Sequence, residues 1–130
     1  MACKVLIVDD DQRTREALAA ILGRAGYDVV SLESGEGLEE LLAGTDFTAA
    51  IIDYHLPRRT GLEIAQSLRH NLPGCRTVLI SSEYQPSRQA GDLSGLVDRF
   101  LAKPFSKTTL LNLMLELCPH PTATLGASPE

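Results

Sequence analysis

The sequence predicts an α/β domain: a doubly wound, five-stranded parallel sheet with five helices. Short apolar runs of strand length alternate along the chain with segments whose apolar residues recur at helical spacing, and the links between them are short. Several runs, Ala49-Ala50-Ile51-Ile52 above all, are continuously apolar rather than alternating, as strands covered on both faces require. At 130 residues the chain makes one domain with room for a sizeable core.

Lys4-Val5-Leu6-Ile7-Val8 is the first strand and ends on Asp9, Asp10 and Asp11. From Gln12 the period becomes helical, with Ala17, Leu18, Ile21, Leu22 and Ala25 as the expected buried stripe; Asp11 is the expected cap and Gly26 the stop. Asp28–Leu32 is a shorter strand. Ser34 is expected to cap a helix through Glu36–Leu42 with Leu38, Leu41 and Leu42 inward. Asp46-Phe47-Thr48 leads into the third strand, which closes on Asp53. A loop over Tyr54–Thr60 follows, then a helix carrying Ile64, Ala65, Leu68 and Leu72, ended by Pro73-Gly74. Thr77–Ile80 is the fourth strand, finishing on Ser81-Ser82-Glu83. Gln85–Gly95 should be a short or frayed helix, weakened by Gly91 and Gly95. Val97–Ala102 is the fifth strand, stopped by Lys103-Pro104. Ser106 should cap a last helix with Leu110, Leu111, Met114 and Leu117 inward. Residues 1–118 then form the domain, and 119–130 read by composition as a disordered tail or linker.

The totals exclude several classes. With a net charge of −5 and the densest basic groups being Arg13/Arg15 and Arg58/Arg59, no surface suited to nucleic acid is expected. No apolar run approaches the roughly 20 residues of a membrane span. The N-terminus enters a strand directly, so no secretory signal is expected and the location should be cytoplasmic. Cys3, Cys75 and Cys118 match neither a disulfide framework nor a zinc pattern, and reduced thiols are expected.

Four strands end in polar residues: Asp9/Asp10, Asp53, Ser81 and Lys103. A parallel sheet brings these ends to one edge, where ligands of open α/β sheets bind. Two charges 4 Å apart at an effective dielectric of about 20 cost roughly 4 kcal/mol, so three converging carboxylates call for a cation. Mg²⁺, held by carboxylates, a carbonyl and waters, is the hard ion that suits them. Lys103 would add a fixed positive charge. Each residue also has a purely structural reading: Asp9-Asp10-Asp11 as an acidic helix start, Asp53 as a turn residue before Pro57, Phe100 as core, His55 as an exposed side chain.

The order and spacing of these pieces resemble a two-component response-regulator receiver domain, a flavodoxin-like fold, from Lys4 to Leu117. The matching parts are Asp9-Asp10, the Asp53…Pro57…Gly61 loop, Ser81 and Lys103-Pro104-Phe105. The resemblance implies Asp53 as phosphoacceptor, with a histidine kinase or histidine phosphotransfer protein as donor. It also implies Asp10 as a direct Mg²⁺ ligand, Asp9 as a carboxylate that helps hold the ion, and His55 as the donor of a backbone carbonyl to it. Ser81 would bond a phosphoryl oxygen, Lys103 would pair with the acyl phosphate, and Phe100 would change rotamer on activation. The Lys103-Pro104 bond is expected to be cis. His55 and Glu83 stand at positions that tune the phosphoryl lifetime.

The pattern has departures: Thr60 stands where an acidic or other polar residue is common, which matters little, and Leu96-Val97 replace a small pair before strand five. The domain would be free-standing or excised from a hybrid kinase or longer regulator, acting on a downstream output domain or protein. A phosphorylation-dependent dimer stays open. Three competitors are weighed. An aspartyl-phosphate phosphatase of haloacid-dehalogenase type would have a second acid where His55 stands. A flavin or nucleotide binder would offer glycines or hydroxyls to phosphate where Asp9-Asp10-Asp11 offers acid. A docking module that is never phosphorylated would not require the full acceptor set.

Overall fold

The computed structural model describes residues 3–82 and 97–118. Five strands, β1 (Lys4–Val8), β2 (Asp28–Leu32), β3 (Ala49–Asp53), β4 (Arg76–Ser81) and β5 (Arg99–Ala102), pair in parallel in the order β2-β1-β3-β4-β5. The helices among the described residues are α1 (Gln12–Arg24), α2 (Leu38–Gly44), α3 (Gly61–Asn71) and α4 (Lys107–Leu117). The fifth expected helix, in Gln85–Gly95, and the expected tail lie outside the described residues.

Alternation along each strand divides the core in two. Val5, Ile7, Ala49, Ile51, Val78 and Ile80 face one way and pack with Leu18 and Leu22 of α1 and Leu110 and Met114 of α4. Leu6, Val8, Ala50, Ile52 and Leu79 face the other way, against Leu38 and Leu42 of α2 and Ile64, Ala65 and Leu68 of α3. Every residue of β3 is buried, which accounts for its unbroken apolar run.

Helix ends follow local chemistry. Asp11 caps α1 by accepting from the Arg13 N–H. Gly26, at φ 102°, ends it: the Tyr27 N–H donates to the Leu22 carbonyl and the Gly26 N–H to that of Gly23. Ser106 caps α4 through the Thr109 N–H. Thr60 and Glu63 form a reciprocal capping box on α3, the Thr60 hydroxyl accepting from the Glu63 N–H at 3.2 Å and the Glu63 carboxylate from the Thr60 N–H at 2.9 Å. Thr60 thus starts the helix behind the Asp53 loop. Thr60→Ala should cost about 1 kcal/mol, read as a lower denaturant midpoint with an unchanged slope.

Four expectations need correction. α2 begins at Leu38 rather than Glu36, because Gly37 adopts φ 76° and Ser34 instead accepts from the Glu36 N–H in a tight turn. Ala17 is exposed; the inward stripe of α1 centres on Leu18 and Leu22. β5 begins at Arg99, since the Asp98 carboxylate turns aside to accept from the Thr77 N–H at 2.8 Å. Cys3 and Cys118 are not separate thiols but a disulfide joining the residue before β1 to the end of α4, Cα to Cα 6.4 Å. Cys75 is free and buried. No helix among the described residues is long and apolar enough to cross a membrane.

Candidate functional site

Strand register builds the site. Val8 pairs with Ile52 and Ile80 with Asp53, so the residue after β1 and the last residue of β3 leave the sheet side by side. Ser81 pairs with Ala102 on the next strands, and the Lys103 N–H donates to the Ser81 carbonyl at 3.0 Å, one residue beyond that pair. Asp9, Asp53 and Lys103, far apart in the chain, thereby meet at one edge.

Asp9, Asp10 and Asp53 each place a carboxylate oxygen within 4.8 Å of the others. Asp9 is fully buried, Asp53 is 6% exposed and Asp10 faces solvent. Asp9 Oδ1 accepts from the Asp11 N–H at 2.9 Å, and Asp53 Oδ1 from the His55 N–H at 3.1 Å. The Lys103 ammonium lies 3.1 Å from Asp9 Oδ2 and 3.6 Å from Asp53 Oδ2. Burial raises the Asp53 carboxyl above its ordinary pKa, and repulsion from Asp9 and Asp10 adds to it; the His55 N–H and Lys103 offset this in part. Burial works against the charge on Lys103, but Asp9 and Asp53 outweigh it and hold the ammonium above its ordinary pKa.

The donor set fits a hard divalent cation. Asp9 Oδ2 is buried and, among the described residues, is faced by the Lys103 ammonium at 3.1 Å with no backbone or hydroxyl donor beside it. A buried anionic oxygen in this condition, beside two further carboxylates, is suited to an ion that prefers oxygen ligands.

The supporting backbone is close-fitting. A Cβ on Gly61 would lie 2.5 Å from the Asp53 carbonyl oxygen and 2.9 Å from Tyr54 Cα, so only glycine lets α3 start against the end of β3. Gly61→Ala should push the Asp53 loop aside and destabilise the domain by about 2 kcal/mol, read as a lower denaturant midpoint.

Of the sequence-predicted residues, Asp9, Asp10, Asp53 and Lys103 come together. Ser81 is buried at the adjacent strand end. His55 is exposed, its ring edge-on to Tyr54 at 4.8 Å. Phe100 is half-buried on β5, packed against the α2/α3 side of the core. The Lys103-Pro104 bond is cis, as expected. Arg15 was missed by sequence reasoning: its guanidinium donates to the Asp9 carbonyl at 2.8 Å and steadies the turn after β1. A helix-surface arginine six residues from its target carries no sequence signal.

A family model described as the response regulator receiver domain matches residues 5–115. The chain belongs to the response-regulator receiver domains. This receiver domain is 31% identical over 127 residues to response regulator MprA of Mycolicibacterium vanbaalenii, which covers 98% of this chain and 55% of that protein. To MprA of Mycobacterium tuberculosis it is 30% identical over 117 residues, 90% of this chain and 51% of the other. The chain thus spans about half the length of the curated relatives it matches. Among solved structures, the chemotaxis protein CheY4 of Vibrio cholerae superposes with a TM-score of 0.81 at 28% identity, covering 90% of this chain and 99% of that one. The response regulator TrrA of Thermotoga maritima, in complex with Mg(2+)-BeF, gives 0.78 at 25% identity, over 88% and 98%.

Proposed function

We propose that this receiver domain accepts a phosphoryl group on Asp53 from a phosphohistidine of a histidine kinase or histidine phosphotransfer protein. The observation that carries this reading is the convergence of Asp53 with Asp9, Asp10 and Lys103 at the end of the buried central strand. Asp9, Asp10 and Asp53, with the backbone carbonyl of His55, would hold Mg²⁺. When bound, the ion supplies positive charge that offsets the carboxylates and the incoming phosphoryl oxygens.

The chain's own residues do the rest. A carboxylate oxygen of Asp53 attacks phosphorus, the donor's N–P bond breaks, and the imidazole leaves with the electron pair and takes up a proton. The Lys103 ammonium, paired with Asp9 and Asp53, would share its charge with the acyl phosphate. The Ser81 hydroxyl would bond a phosphoryl oxygen, and Phe100 would follow it inward, changing the face offered to a downstream output domain or protein. The domain is a phosphoacceptor taking part in its own phosphorylation and dephosphorylation, not an enzyme acting on other substrates. We place it in the cytoplasm, where such donors are found, with no direct part in nucleic-acid binding.

The test is to incubate the full chain with acetyl phosphate and Mg²⁺, following intact mass and released phosphate together. Stoichiometric uptake of one phosphoryl group, with slow release, is expected. Many turnovers of phosphate release per chain, when an unrelated phosphomonoester replaces acetyl phosphate in the same assay, would favour a phosphatase instead.

A further inference from the structure

We propose that Cys3 and Cys118 are a redox-responsive clasp, closed by exchange with a low-molecular-weight disulfide, that fastens the two ends of the folded domain together. The fold brings the pair together across a sequence separation of 115 residues. Cys3 immediately precedes β1, and its carbonyl accepts from the Asp28 N–H at 3.0 Å. Cys118 caps α4, is fully buried, and its carbonyl accepts from the Tyr27 hydroxyl at 3.2 Å. Both backbones are thus held by bonds that do not depend on the sulfurs, so the reduced domain keeps the pair in register for closure.

The three cysteines divide by accessibility. Cys3 is half-buried and is the thiol that a small disulfide reaches first, whereas Cys118 is fully enclosed. Cys75 is buried on the other side of the sheet, and its thiol is pushed up to about 12 by burial and by Asp98, which removes it from competition. The Cys3 thiolate attacks one sulfur of the small disulfide and expels one small thiol, leaving a mixed disulfide. The Cys118 thiolate then attacks Cys3 Sγ and expels the second. Two protein thiols are oxidised, one small disulfide is reduced to two thiols, and the two protons pass to the leaving thiolates. The clasp sits at the opposite edge of the sheet from Asp53, roughly 20 Å away along β1, so it is independent of the acceptor site.

The full chain is treated with oxidised glutathione or with dithiothreitol, unfolded, alkylated with N-ethylmaleimide and weighed. One adduct, on Cys75, is expected after oxidation and three after reduction, with full return on cycling. The oxidised form should melt roughly 10 °C above the reduced form. Cys3→Ser, whose altered side chain is not enclosed, should fold and lose that difference. Three adducts after oxidation, a glutathione adduct on Cys3 in place of the bridge, a disulfide-linked dimer, or equal melting of the two forms would each overturn the proposal.

Discussion

Lys103→Ala should lower the stability of the metal-free domain by about 3 kcal/mol and slow phosphoryl uptake by about 10²-fold. Among the described residues, the Lys103 ammonium is the positive group facing both Asp9 Oδ2 and Asp53 Oδ2, at 3.1 and 3.6 Å. Removing it leaves a fully buried carboxylate and a nearly buried one facing each other, with Asp10 alongside. Such loss of one partner from a buried pair is more damaging than the pair is stabilising, because the remaining charge is left without water or counterion. Mg²⁺ should restore much of the stability but little of the rate, since a bound ion would offset the carboxylates while the phosphoryl oxygens would still lack the charge of Lys103. Chemical denaturation with and without Mg²⁺, beside uptake kinetics, checks both parts.

Asp53→Asn should act in the opposite direction on stability while abolishing uptake. The substituted amide would keep an oxygen acceptor for the His55 N–H but remove a charge that burial, Asp9 and Asp10 all oppose. The metal-free variant should therefore be about 1–2 kcal/mol more stable than the wild type at neutral pH. Because the folded pKa of Asp53 is raised above its ordinary 3.8, the folded chain binds the proton more tightly than the unfolded chain. The penalty is present at neutral pH and is relieved as pH falls through the folded value toward 3.8, so the stability gap between variant and wild type should close over that window. Mg²⁺ should stabilise the wild type by about 2.7 kcal/mol at a hundredfold excess over Kd, read as a higher melting temperature, and the variant far less. A variant no more stable than the wild type, with the same response to Mg²⁺, would remove Asp53 from the cluster.

Much of this was legible in the sequence because buried parallel strands leave a plain signature. Ala49–Ile52 has no polar residue to spare for solvent, and the structure buries all of it. Once the sheet is parallel, the polar residues that end the strands must share an edge, so Asp9, Asp10, Asp53 and Lys103 could be gathered without coordinates. The start of α2 was not legible: Ser34 and Glu36 look like a helix entry, but the left-handed Gly37 delays it to Leu38. The reach of Arg15 to the Asp9 carbonyl and the union of Cys3 with Cys118 were also hidden. Both depend on how α1 and α4 lie against the sheet, and neither leaves a local pattern. The need for glycine at position 61 looked like a turn signal; the structure gives its physical content as contact with the Asp53 backbone.

Asp53 is proposed as the Mg²⁺-dependent acceptor. Its most direct test is the intact mass of wild type and Asp53→Asn, each incubated with acetyl phosphate in Mg²⁺ or in EDTA. One added phosphoryl group on the wild type in Mg²⁺, and none in the other three samples, is the predicted result. Equal uptake by Asp53→Asn, or no uptake by the wild type in Mg²⁺, would contradict it.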